Sequence, residues 1–189
     1  MTIRLAHALK ERFAARPDLP PFNLLVDLDC PRTVNNNIDS IPPSAVCIEV
    51  GPLPHGTLNH PSLFEGTRFA VKETLRFLDE FNLRGDAEQV MKSYEHKTIE
   101  GYTLWKPVYY PKKEGSPTIS ATIHPSLLGA DFKPISKGDA MFVHLGSGEV
   151  CGRYEESEVA YPCFIGEAAY FTSGIAMWLC KKKTFSVYG

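Results

Sequence analysis

No apolar run in the sequence approaches the ~20 residues that span a bilayer, and the opening stretch MTIRLAHALKERFAAR is charged throughout, without the apolar core of an export signal. No CxxC pair occurs among the five cysteines, Cys30, Cys47, Cys151, Cys163 and Cys180. An odd number at low density points to reduced thiols in a cytoplasmic protein and speaks against a zinc knuckle. The six histidines form no HxH, HxxE or HExxH arrangement, so no local metal site is written in them. A GxSxG elbow and a glycine-rich phosphate loop are missing too. Positive charge is not in excess: 20 Lys and Arg face 22 Asp and Glu, for a net charge of -2. That balance gives no field for nucleic acid.

What remains is an ordinary globular composition, 43% hydrophobic and 22% charged over 189 residues. Leu5, Leu9 and Phe13 recur at i, i+4 and i+8, which predicts a helix over 3–16 that Pro17 stops. FNLLVDLD (22–29) predicts a strand covered on both faces. The Pro- and Asn-rich stretch CPRTVNNNIDSIPPS (30–44) is too long for a routine connection. AVCIEV (45–50) alternates as a strand that Gly51-Pro52 breaks. Residues 62–82 predict a second helix, with Phe64, Val71, Leu75, Leu78 and Phe81 as its apolar stripe and Ser62 and Glu65 as a capping box.

The character changes near Arg84-Gly85. YTLWKPVYYP, TISATIHP, DAMFVHL and EVCGRY are short β-rich runs separated by KKEGSP and GSG, a pattern of antiparallel structure. Two regions result: 1–84, a partial α/β region, and 85–189, a C-terminal antiparallel β-rich domain. Two strands covered on both faces with only two helices leave an α/β layer incomplete. The missing neighbours are expected from residues preceding Met1, so the chain reads as a fragment. Lys181-Lys182-Lys183 reads as a solvated strand edge.

Glu49 places a carboxylate at the end of an apolar strand, where burial without a partner is costly. It reads either as a general base at the sheet's C-terminal edge or as a capping or ion-paired carboxylate. His55 and His60, close by in PLPHGTLNHP, read as loop residues, and His124 before Pro125 ends a strand. In AYPCFIGEAAYF (160–171), Tyr170 reads as a core residue with a satisfied hydroxyl.

IEVGPLPHG (48–56), ISATIHPSLLGADFKPISKGDAMF (119–142) and YPCFIGEAAYF (161–171) together resemble the C-terminal portion of the aspartoacylase family. That family includes aminoacylase-3 and is more distantly related to succinylglutamate desuccinylase and the zinc carboxypeptidases. The resemblance implies a zinc-carboxypeptidase-like α/β region followed by a β domain that caps the active site. It further implies a zinc-dependent amidohydrolase acting on a small N-acyl amino acid such as N-acetylaspartate. By the same resemblance Glu49 is the catalytic acid/base and Tyr170 binds the substrate carboxylate. The family's zinc-binding GxHGxE-type segment matches nothing between residues 1 and 189, so no metal ligand is assigned and the chain alone is expected to be inactive. Asp39 stands where the family usually has a substrate-binding arginine, and Arg32 is the alternative for that role. A non-catalytic binding or assembly module is the competing reading.

Open sheet edges invite pairing with other copies. The polypeptide 1–189 expressed alone is therefore expected to be poorly soluble or homo-oligomeric, and to bind no stoichiometric zinc. Light scattering and atomic absorption measure both, and a stable monomer holding one zinc would refute both expectations.

Overall fold

The computed structural model describes residues 2–26, 46–49, 61–83, 89 and 92–186. The chain forms two compact units, Met1–Gly101 with Lys183–Gly189, and Tyr102–Lys182. In chain order the elements are α1 (Thr2–Ala14), β1 (Leu25–Val26), α2 (Pro61–Leu83), β2 (Thr98–Tyr109), β3 (Ala121–Ile123), a 3₁₀ turn (Pro125–Leu127), β4 (Ala140–His144), β5 (Val150–Arg153), β6 (Tyr161–Cys163), α3 (Ala168–Phe171) and β7 (Ile175–Ser186). Strand order is β1-β2-β7-β6 in one sheet and β3-β4-β5 in the other. No described helix is long and apolar enough to cross a membrane.

In the first unit, α1 buries Leu5, Ala8 and Leu9 at helical spacing against Phe77 of α2, with Phe22, Leu78 and Tyr94 packed around them. The face that α2 buries is not the expected one. Gly66, Ala70, Glu73 and Phe77 point inward, whereas Phe64, Val71 and Leu75 are exposed. The physical reason lies in α1. Arg12 reaches Glu73 at 3.2 Å and Glu80 at 3.0 Å, and its Nη1 also donates to the Glu73 carbonyl at 2.8 Å. Packing of Phe77 against Leu5, Ala8 and Leu9 turns this face of α2 inward, and Arg12 pairs the Glu73 carboxylate that the orientation buries. The start of α2 also differs: Pro61 is already helical and Ser62 lies inside the helix. Proline suits the first helical position, because its missing N–H has no acceptor there anyway. Glu65 pairs forward with Arg68 at 3.6 Å.

Of the expected strand 22–29, Leu25–Val26 is strand, half-buried at the edge of its sheet, residues 22–24 are not, and 27–29 lie outside the described residues. Gly101 permits its close approach to β2, since a Cβ there would sit 2.8 Å from the Leu24 carbonyl oxygen. The expected strand 45–50 is not seen: residues 46–49 have no strand pairing.

The second unit follows the β-rich pattern of the sequence. β3 pairs antiparallel with β4, β4 with β5, and β6 with β7. GSG closes the β4–β5 hairpin with Gly146 and Gly148 at positive φ, and the Gly148 N–H donates to the His144 carbonyl at 3.0 Å. Gly152 faces Phe142 in the ladder, where a Cβ would approach its ring to 3.0 Å. Ala121, Ile123, Leu127, Ile135, Met141, Phe142, Tyr154, Met177 and Leu179 make up most of the core. Lys181 is half-buried rather than a free edge charge: it pairs with Glu158 at 2.5 Å and lies over the Trp105 ring at 4.4 Å.

Phe77 is 1% exposed and Phe64 69% exposed on the same helix. Phe77→Ala is expected to cost about 3–5 kcal/mol through lost burial and a residual cavity. Phe64→Ala should stay within roughly 0.5 kcal/mol of the parent protein. Urea midpoints of the two variants measure the contrast, and equal midpoints would refute this assignment of faces.

Candidate functional site

The segment between β6 and β7 is short and tightly specified. β6 and β7 meet in fixed register, Tyr161 opposite Cys180, Pro162 opposite Leu179 and Cys163 opposite Trp178. Beyond Cys163 the backbone enters the left-handed region at Phe164 (φ 54) and again at Gly166 (φ 69). A phenylalanine rarely adopts that conformation and holds it only where surrounding contacts impose it. The Gly166 N–H donates to the Ala176 carbonyl at 2.8 Å, tying the loop back to β7. The single helical turn α3 follows, and Gly174 (φ 73) returns the chain to β7. There the Tyr110 N–H donates to the Gly174 carbonyl at 2.9 Å.

Tyr170 rides on α3. It is half-buried, not a core residue, and its ring lies 5.8 Å from that of Phe164 at an interplanar angle of 47°. Its neighbour Phe171 is 54% exposed and meets Tyr110 edge-on at 5.7 Å. Burial pushes the Tyr110 hydroxyl pKa up, so it stays protonated at neutral pH. An amphipathic tyrosine on a fixed turn, partly open to solvent, is suited to donate a hydrogen bond to a small anionic ligand.

Behind this loop lies a carboxylate that the sequence pattern did not single out. Asp131 is half-buried. Its Oδ1 accepts from the Ile165 N–H at 3.4 Å, and its Oδ2 is buried without a hydrogen-bond partner. Desolvation raises the Asp131 pKa above the usual carboxylate value, against the opposing pull of the Ile165 and Phe164 amides. The only sequence hint was an acidic residue between Ala130 and Phe132, in a segment otherwise rich in apolar and turn residues.

Glu49 belongs to the first unit. It is exposed on the irregular stretch 46–49, not buried at a strand end, so the cost of burying its charge does not arise. Its Oε1 lies 3.7 Å from the Cys47 Sγ, which donates to it. His124 caps the 3₁₀ turn after β3, its Nδ1 accepting from the Ser126 N–H at 3.2 Å. His55, His60, Arg32, Asp39 and Cys30 lie outside the described residues. Among the described residues no three His, Cys, Asp or Glu side chains converge in a set able to hold a metal ion. They therefore offer no fit for zinc.

Residues 97–182 match the AstE/AspA barrel-sandwich hybrid domain. The chain is 37% identical over 158 residues to a probable aspartoacylase of Trichodesmium erythraeum, covering 83% of this chain and 50% of that protein. It is 32% identical over 167 residues to N-acyl-aromatic-L-amino acid amidohydrolase (carboxylate-forming) B of Danio rerio, covering 88% and 50%. The crystal structure of murine aminoacylase 3 superposes with a TM-score of 0.77 at 27% identity, covering 98% of this chain and 56% of that one. The chain thus spans about half the length of the curated relatives it matches.

Thiol chemistry tests the burial of both candidate segments. Cys47 and Cys151 are exposed, while Cys163 and Cys180 are buried with their Sγ atoms 3.2 Å apart. The hydrogen bond to Cys180 and desolvation both push the Cys163 thiol pKa far up, suppressing its thiolate. An aromatic disulfide reagent should label Cys47 and Cys151 in the native protein, and Cys163 and Cys180 only after denaturation. Peptide mapping reads the result, and native labelling of Cys163 would contradict the closed β6–β7 pairing.

Proposed function

Because the chain belongs to the aspartoacylase and aminoacylase family, as a stretch about half as long as its members, we propose that the complete protein is an amidohydrolase. Its substrate would be an N-acyl amino acid, N-acetylaspartate or a relative, cleaved to a carboxylate and a free amino acid. The observation that carries this reading is the tightly built Phe164–Tyr170 turn, which lies inside the matched residues 97–182.

In this proposal Glu49 takes a proton from the water that attacks the amide carbonyl carbon. As the C–N bond breaks, Glu49 passes that proton to the leaving nitrogen, so the amino acid departs as a free amine. Being exposed, the carboxylate is open to solvent and to a substrate. The Tyr170 hydroxyl donates a hydrogen bond to the substrate carboxylate and fixes its orientation. Zinc enters by resemblance alone, since the described residues hold no ligand set for it. The β-rich part would serve as the cap that the resemblance implies.

A second reading, a non-catalytic assembly module, is favoured by the exposed apolar residues Phe64, Val71 and Leu75 on α2. Catalysis separates the two. In the complete enzyme, with N-acetyl-L-aspartate and N-acetyl-L-tyrosine as probes, Glu49→Gln should lower kcat by about 10²–10⁴-fold. Tyr170→Phe should raise KM with little change in thermal midpoint. Amine release measures turnover. Full activity of Glu49→Gln would dismiss its role as acid/base, and a large stability loss in Tyr170→Phe would return that residue to a packing role.

A further inference from the structure

Asp131 is out of place as a packing residue. A buried carboxylate oxygen without a partner costs free energy that an apolar side chain of similar size would not. The carboxylate faces the amides of the turn: its Oδ1 accepts from the Ile165 N–H and the Phe164 amide acts on it too, at the point where the chain passes through two left-handed residues. It is itself anchored next to β6, because the following residue, Phe132, donates its N–H to the Pro162 carbonyl at 2.7 Å.

The loop is therefore held from two sides. Ala176 of β7 takes the Gly166 N–H, and Asp131 takes that of Ile165. These two bonds immediately follow Phe164 and constrain the chain that holds it at φ 54. With its backbone fixed there, the Phe164 ring is presented to Tyr170 at 5.8 Å. An aromatic pair at that separation orients both rings.

We propose that Asp131 is a positioning residue for Tyr170, acting through the Ile165 amide and the Phe164 ring to set the direction of the Tyr170 hydroxyl. The proposal rests on the reading of Tyr170 as a substrate-binding residue. A role in packing alone would lower stability and leave the KM to kcat relation untouched. A positioning role predicts a selective change in substrate binding.

The test uses Asp131→Ala, Asp131→Asn and Tyr170→Phe, singly and with Asp131→Ala and Tyr170→Phe combined, in the complete enzyme. N-acetyl-L-aspartate and N-acetyl-L-tyrosine are the probes. Losing one hydrogen bond to a charged group is expected to raise KM about tenfold, with kcat within roughly twofold. Asp131→Asn keeps an acceptor for the Ile165 N–H and should restore most of that loss. In the Tyr170→Phe background Asp131→Ala should add less than about a twofold increase, because the two residues act as one unit. Amide hydrogen exchange on the complete enzyme supplies a second readout. Asp131→Ala should speed exchange at residues 165–170 and leave the β3–β4 ladder unchanged.

Exchange that rises throughout the β-rich unit, or KM effects that add fully, would overturn the proposal in favour of packing. A raised KM in Tyr170→Phe with none in Asp131→Ala would overturn the positioning role alone. An unchanged KM in Tyr170→Phe would overturn the substrate-binding reading of Tyr170 and the positioning role with it.

Discussion

The antiparallel pairing of β6 with β7 is the constraint on which the candidate site depends. Cys163 opposite Trp178 marks the last rung, and everything from Phe164 to Gly174 must fit between two strands already locked in register. A register slip of one residue would reverse which side chains face the core. Here the consecutive residues Pro162 and Cys163, and Leu179 and Cys180, are all buried, so both faces are packed and a slip would put the wrong side-chain shapes into each. The loop thus inherits its geometry from a ladder that has few alternatives. That is how a four-residue helix, far too short to be stable on its own, can present Tyr170 in a defined place.

The β-rich half was legible in the sequence because its signals are local. Alternation, glycines at turn positions and the changes from YTLWKPVYYP to KKEGSP all act over a few residues, and the strands and hairpins appear where those signals put them. The first unit was harder for a physical reason. Helix α2 carries apolar residues on two faces, and the choice between them is made by α1, more than sixty residues away, whose Leu5, Ala8 and Leu9 pack on Phe77 while Arg12 pairs with Glu73 and Glu80. No periodicity within α2 contains that information. The start of the helix differs for a local reason: Ser62 and Glu65 satisfy a capping pattern, yet Pro61 makes an equally good first helical residue.

The site divides in the same way. Tyr170 could be picked out by resemblance to a known motif, and its half-buried setting separates it from an ordinary core tyrosine. Asp131 could not be found, because its meaning depends on the Ile165 amide 34 residues further along the chain. At Glu49 the alternation predicts a buried strand end, whereas the residue is exposed and 46–49 form no strand. Alternation over six residues specifies a strand only if a neighbour is there to pair with it.

Phe132 and Phe164 both hold left-handed backbone, at φ 59 and φ 54, and both stack on tyrosines, Tyr102 at 4.7 Å and Tyr170 at 5.8 Å. Each position opposes two preferences. The backbone favours glycine by about 1–2 kcal/mol, while the ring contact can be made only by an aromatic side chain. At such positions a substitution table built on stability ranks glycine well, whereas one built on ring orientation ranks it last. The two phenylalanines therefore mark the places in this unit where backbone ease and the orientation of a neighbouring ring are set against each other within a single residue.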